Sequence, residues 1–135
     1  MAVVVGYVPT AEGRAALRQA ALECKLRNTR LIVINSQRGG NAFDARDAAR
    51  SDEDLRDVRA TLDEQGLEHE VRQLVRGLEP AEDLIAVAEE VAADVIVIGL
   101  RRRSPVGKLI LGSNAQRILL DAPCPVLAVK AQDEL

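Results

Sequence analysis

Val95-Ile96-Val97-Ile98-Gly99 is a short apolar run without charge, and it leads through Leu100-Arg101-Arg102-Arg103-Ser104-Pro105-Val106-Gly107-Lys108-Leu109-Ile110-Leu111 into Gly112-Ser113-Asn114. The run has the length and β-branched content of a strand buried on both faces. Behind Ser113, Ala115, Ile118, Leu119 and Ala122 recur at helical spacing, so the spacing predicts a helix that opens at Ser113. Ser113 and Gln116 have the spacing of a capping box. A strand, a glycine-flanked loop with three consecutive arginines and a helix N-terminus together make an anion site. Amides without intrahelical partners, the positive end of the helix dipole and bidentate guanidinium donors all favour a phosphate there.

Outward from this stretch the same alternation repeats. Ala2 to Val8 reads as a continuous apolar strand, and Thr10 is placed to cap a helix with Ala16, Leu17, Ala20, Ala21 and Cys24 on its inner face. Leu31 to Ile34 reads as a second strand, and the polar segment from Ser36 to Arg50 as a loop. Ser51 is expected to start a helix with Leu55, Val58 and Leu62 inward, ended by Gly66. Leu67 to Val75 alternates like an edge strand. Pro80 opens a helix that turns Leu84, Val87, Ala88 and Val91 inward, and Pro125 to Val129 reads as a last strand. Strands alternating with helices imply right-handed crossovers and one parallel sheet. The expectation is a single doubly wound α/β domain over residues 1–135, five strands with helices on both faces. Such sheets take ligands beyond the carboxyl ends of their strands, where the strand order reverses. If the fourth strand lies beside the first, the segments after Val8 and after Ile98 both border that crevice.

Composition narrows the function. The formal charge is −3, and Tyr7 and Phe43 are the aromatic residues, so neither a basic excess nor a stacking platform for nucleic acid is present. Cys24 and Cys124 stand far apart without metal-ligand or redox spacing, which predicts reduced buried thiols. The chain enters a strand directly, without a signal-peptide pattern, and no apolar run approaches the roughly 20 residues of a membrane span. A cytoplasmic protein is expected, with no membrane and no nucleic-acid partner. Gly107-Lys108 is not a phosphate-binding P-loop, because Arg102 stands where a glycine is required and Leu109 where Ser or Thr would face magnesium. His69, the one histidine, lies among charged residues and reads as a surface side chain. No nucleophile–histidine–acid set assembles, so no enzyme is expected.

The chain resembles the universal stress protein family. That family's signature is Gly, two residues, Gly, nine residues, then Gly followed by Ser or Thr. Gly99 fills the first position, Arg102 replaces the second glycine, and Gly112-Ser113 fills the last pair. Ala93-Asp94-Val95-Ile96-Val97-Ile98-Gly99, Pro80-Ala81-Glu82 and Ala122-Pro123-Cys124-Pro125-Val126-Leu127-Ala128-Val129 are similar to the family as well. The resemblance implies the adenine-nucleotide α-hydrolase-like arrangement, with strand order 3-2-1-4-5. It also implies a stress-response protein that dimerises through its C-terminal strand and binds ATP, with magnesium on the phosphates.

Carried over by position, the phosphate roles fall on Gly99, Gly112, Ser113 and Asn114, and the loop arginines Arg101 and Arg102 add charge. An acidic family residue after the first strand contacts the adenosine end; Val8 holds that position here. Backbone contacts to adenine fall on Val33 to Asn35, centred on Ile34. Val8 offers no polar side chain, and Arg102 either strains the loop or pairs with a phosphate. The alternative is therefore a nucleotide-free member of the family that acts as a protein-interaction module.

Overall fold

In the computed structural model, which describes residues 1–37, 45–75, 79–100 and 111–131, the apolar run after Asp94 forms strand β4 (Val95–Leu100). On one side β4 pairs in parallel with β1 (Ala2–Gly6), Val4 opposite Ile96. On the other it pairs with β5 (Val126–Lys130), Val97 opposite Leu127. Beyond β1 come β2 (Arg30–Gln37) and then β3 (His69–Val75), both parallel. The five-stranded order is β3-β2-β1-β4-β5, as expected, and it reverses between β1 and β4.

Successive side chains of a strand point to opposite faces, and both faces of this sheet are roofed. Val3, Val5, Leu31, Val33, Val95 and Val97 pack under α1 (Ala11–Arg27) and α2 (Ala45–Glu64), against Ala16, Ala20, Leu55 and Leu62. Ala2, Val4, Ile32, Ile34, Ile96 and Ile98 pack under α3 (Pro80–Glu90) and α4 (Ser113–Asp121), against Ala81, Leu84, Val87 and Ile118. Burial on both faces is why the strands read as unbroken apolar runs rather than alternating ones.

Local signals behave as expected at several ends. The Thr10 hydroxyl accepts from the Gly13 amide at 3.1 Å and caps α1. Pro80 is the first residue of α3, and Gly66, at φ +66°, turns the chain after α2. The N-terminus of α4 differs. Its cap is Gly112, without a side-chain hydrogen bond, and Ser113 is the exposed first helical residue. There is no capping box: the Gln116 carboxamide donates to the Leu111 carbonyl at 3.0 Å instead of reaching back to a serine cap. Leu119 is also 42% exposed; it sits about 100° around the helix from buried Ile118, off the line that faces the sheet.

The segment expected to be a loop is largely regular at its ends. Ser36 and Gln37 belong to β2, and residues 45–50 belong to α2, so Ser51 lies inside the helix rather than at its start. Ser51 is held there by tertiary bonds. Its hydroxyl donates to Asn35 Oδ1 at 3.4 Å and accepts from Gln73 Nε2 at 2.8 Å, while Asn35 Nδ2 donates to the Tyr7 carbonyl at 3.2 Å. This polar thread ties α2 to β1, β2 and β3.

His69 is partly buried at the start of β3, with its ring against the Leu67 carbonyl, instead of lying free on the surface. Cys24 is buried, which pushes its thiol up to about 11, and Cys124 is half-buried. Among the described residues no helix is long and apolar enough to cross a membrane.

Candidate functional site

Where β1 and β4 diverge at their carboxyl ends, a cleft of about 240 Å³ opens between the start of α1 and the starts of α3 and α4. It lies at the crevice that a doubly wound sheet reserves for ligands. Its floor is apolar: Gly6, Ile34, Leu84, Ile98 and Ile118. Polar groups enter from the sides, through Tyr7, Glu12, Ser36 and Asn114.

One wall is built from backbone. Gly99, at the end of β4, and Gly13, in the first turn of α1, both line the cleft. A Cβ on Gly99 would stand 2.3 Å from the Glu12 carbonyl oxygen, and a Cβ on Gly13 would stand 1.8 Å from that of Val8. Two glycines therefore let the start of α1 press against the turn after β1 and the end of β4. Val8 lies in that turn, 43% exposed and on the cleft, with its carbonyl accepting from the Thr10 amide at 2.8 Å.

The opening of α4 forms the next side. Because Gly112 has no side chain, the cap residue of α4 offers the helix's first amides no side-chain acceptor. The dipole of those amides favours an anion at this point. Asn114 lines the cleft, and its Oδ1 accepts from the Ala81 amide at 3.1 Å. It thereby supplies the N-terminus of α3 with a cap that Glu79, the local cap residue, does not provide. Arg117 and Glu82, joined at 2.7 Å, fasten the same two helices on the outside.

The opposite wall is made of side chains on β2 and α3. Ile34 is buried and presents its side chain to the cleft, while its carbonyl accepts from the Tyr7 amide at 2.9 Å. Ser36, two residues on, faces the cleft and donates its hydroxyl hydrogen to buried Asp83 of α3. Tyr7 is held neutral well above the usual tyrosine range, first by burial and then by the Asp54 carboxylate beside its hydroxyl.

Of the residues singled out from the sequence, Val8, Ile34, Gly99 and Asn114 meet on this one cleft. Gly112 and Ser113 directly precede Asn114 but are not among the residues lining it. Arg101 and Arg102 lie outside the described residues. Sequence reasoning passed over Glu12, Ser36 and Asp83. For Glu12 a signal existed, since the first turn of a helix that follows a parallel strand faces the ligand end of the sheet. For the Ser36–Asp83 pair none existed, because the two are brought together by a contact between β2 and α3 across 47 residues.

A parallel sheet with a cleft at its reversal point and a glycine-capped helix end beside it defines an α/β domain of the doubly wound class. The model of the universal stress protein family matches residues 1–130, and the chain belongs to that family. A universal stress protein of Mycolicibacterium smegmatis is 48% identical over 128 residues, spanning 95% of this chain and 96% of that protein. Among solved structures, a universal stress protein from Archaeoglobus fulgidus matches with a TM-score of 0.81 at 40% identity, over 96% of this chain and 98% of that one. The universal stress protein from Archaeoglobus fulgidus in complex with dAMP matches with a TM-score of 0.76 at 34% identity, over 96% of this chain and 98% of that one.

Proposed function

We propose that this chain is a non-catalytic receptor for an adenine nucleotide in the stress response, ATP included, acting as a cytoplasmic homodimer. The observation that carries the reading is the glycine-capped start of α4 beside an apolar cleft at the strand-order reversal. Phosphates would lie against the amides of Gly112, Ser113 and Asn114 and the end of β4 at Gly99, with Arg101 and Arg102 following directly in sequence. Magnesium, when ATP is bound, would be carried by the phosphates. The base would lie over β1 and β2, between Ile34 and Leu84, with the Glu12 carboxylate as an acceptor for sugar hydroxyls. The dAMP complex of the Archaeoglobus relative supports the ligand class.

Among the described residues no histidine lines the cleft, so a serine or tyrosine nucleophile there would lack its usual base. Dimerisation through β5 is supported by its place at the sheet edge and by the apolar run Val126-Leu127-Ala128-Val129, an edge that pairing with a second copy would cover.

Thermal unfolding with AMP, ADP and Mg-ATP tests the reading. A native-state ligand at a hundred times Kd adds about 2.7 kcal/mol, which for a domain of this size raises Tm by roughly 8–13 °C. A shift that grows with phosphate number is expected. A flat Tm at millimolar concentrations of all three would replace this reading with the nucleotide-free interaction module.

A further inference from the structure

Ser36 closes the β2 side of the cleft, and behind it, in the first turn of α3, lies Asp83. Asp83 is 1% exposed, and its Oδ2 accepts the Ser36 hydroxyl hydrogen. Its Oδ1 has no hydrogen-bond donor among the described residues. Buried polar atoms are almost always paired, and a buried carboxylate oxygen left idle is costly. The Ser36 hydroxyl is therefore committed. If it turned to donate into the cleft, Asp83 would lose its bonded oxygen as well and be left with two unpaired atoms. With its one hydrogen spent on Asp83, Ser36 presents only oxygen lone pairs to the cleft. The β2 wall is an acceptor locked in one sense.

The position of this acceptor says what it meets. Neighbouring strands are about 4.8 Å apart, and β2 lies two strands from β4, so Ser36 stands on the order of 10 Å across the sheet from the end of β4. A ligand whose phosphates lie at α4 puts its base, its most distant part, at Ser36. Ile34 and Leu84 offer apolar surface to the faces of a planar ring there. We infer that Ser36, held by Asp83, selects a base that carries an exocyclic amine over one that carries a carbonyl at the same place. This specificity role rests on the nucleotide reading above. Asp83 is a positioning residue in it, since it acts through Ser36.

AMP and IMP differ in that group, amine against carbonyl, and at the adjacent ring nitrogen, bare in AMP and bearing a hydrogen in IMP, and they share sugar and phosphate. Titration calorimetry of the full chain with each should give AMP a preference of about ten-fold or more. Ser36→Thr keeps the hydroxyl and should keep the preference. Ser36→Ala should bring the AMP-to-IMP ratio close to one, chiefly by weakening AMP. In Asp83→Asn the carboxamide can donate to Ser36 and release its hydrogen toward the cleft, so the preference should shrink or invert. An unchanged ratio in Ser36→Ala overturns the inference. So does an equal loss for both nucleotides, which would mean that Ser36 reads a sugar hydroxyl. Wild-type protein that binds neither nucleotide overturns the nucleotide reading itself, and this inference with it. AMP binding with an unmoved ratio overturns the inference alone.

Discussion

The two walls of the cleft are built on opposite terms. On the α1–β4 side, backbone meets backbone across Gly13 and Gly99, and there is no room for a single methyl group. On the β2–α3 side, the surface is side chain: Ile34, Leu84 and Ser36, with Asp83 behind. Close backbone packing is intolerant, because the colliding atoms belong to elements that cannot move independently. A side-chain wall can change its chemistry while the strands and helices stay in place. The first wall therefore fixes where a ligand lies, and the second sets which ligand is accepted. Substitutions on the two walls should separate into losses of stability and changes of preference.

The largest effect is expected on the glycine wall. Replacing Gly by Ala inside a helix ordinarily gains about 1 kcal/mol of helix propensity. At Gly13 the new Cβ would stand 1.8 Å from the Val8 carbonyl oxygen, so either the helix start or the turn after β1 must shift. Overpacking of this kind costs about 1–3 kcal/mol or more. Gly13→Ala should therefore lower the stability measured by urea unfolding, against the propensity trend. Gly99→Ala, with 2.3 Å to the Glu12 carbonyl oxygen, should do the same. A gain in stability at Gly13 would show that this wall is not the close contact described.

Asn114 comes next, and it sharpens the comparison because it lies between the walls. Its carboxamide oxygen caps α3 from α4. Loss of a side-chain cap costs about 0.5–2 kcal/mol, so Asn114→Ala should fall within that range by chemical denaturation. Asn114→Asp retains the acceptor and should recover most of the loss. If Ala and Asp behave alike, the bond to Ala81 does not hold the helices together.

The contrast also explains what was legible in the sequence. The parallel sheet and both helix layers followed from apolar runs alternating with helical stripes, because period and length are local properties, whereas the strand order, and with it the place of the crevice, came from the family resemblance. The glycine wall was legible in part: Gly99 stood out through its place before an arginine-rich loop, though its packing against Glu12 did not. Gly13 gave no signal, since a glycine in a helix looks the same whether or not a carbonyl lies against it. Ser51 misled because a serine before an apolar stripe reads as a cap, whereas its partners, Asn35 and Gln73, come from other strands. Ser113 misled for a related reason, as Gly112 takes the cap position. The Ser36–Asp83 pair was illegible because an acid in the first turn of a helix is usually a solvated complement to the dipole. Its burial follows from β2 running two residues past Asn35, which only the tertiary fold shows.

Tyr7 gives the smallest expected effect. It follows β1 on the backbone wall, yet its ring is buried and its hydroxyl stands beside Asp54 of α2. Tyr7→Phe keeps the ring and removes the hydroxyl, so the loss at neutral pH should be about 1 kcal/mol, the net worth of one hydrogen bond. Burial, and then Asp54, raise the tyrosine above its ordinary value of 10.0, so the folded protein holds the phenolic proton more tightly than the unfolded chain. The stabilisation is fully present below pH 10 and is lost as pH rises through the folded value. Wild type should therefore lose stability relative to Tyr7→Phe as pH is raised above about 10, with other alkaline titrations cancelling between the two proteins. Parallel stability curves from pH 8 to 11 would mean that the hydroxyl is neither desolvated by the fold nor held beside Asp54.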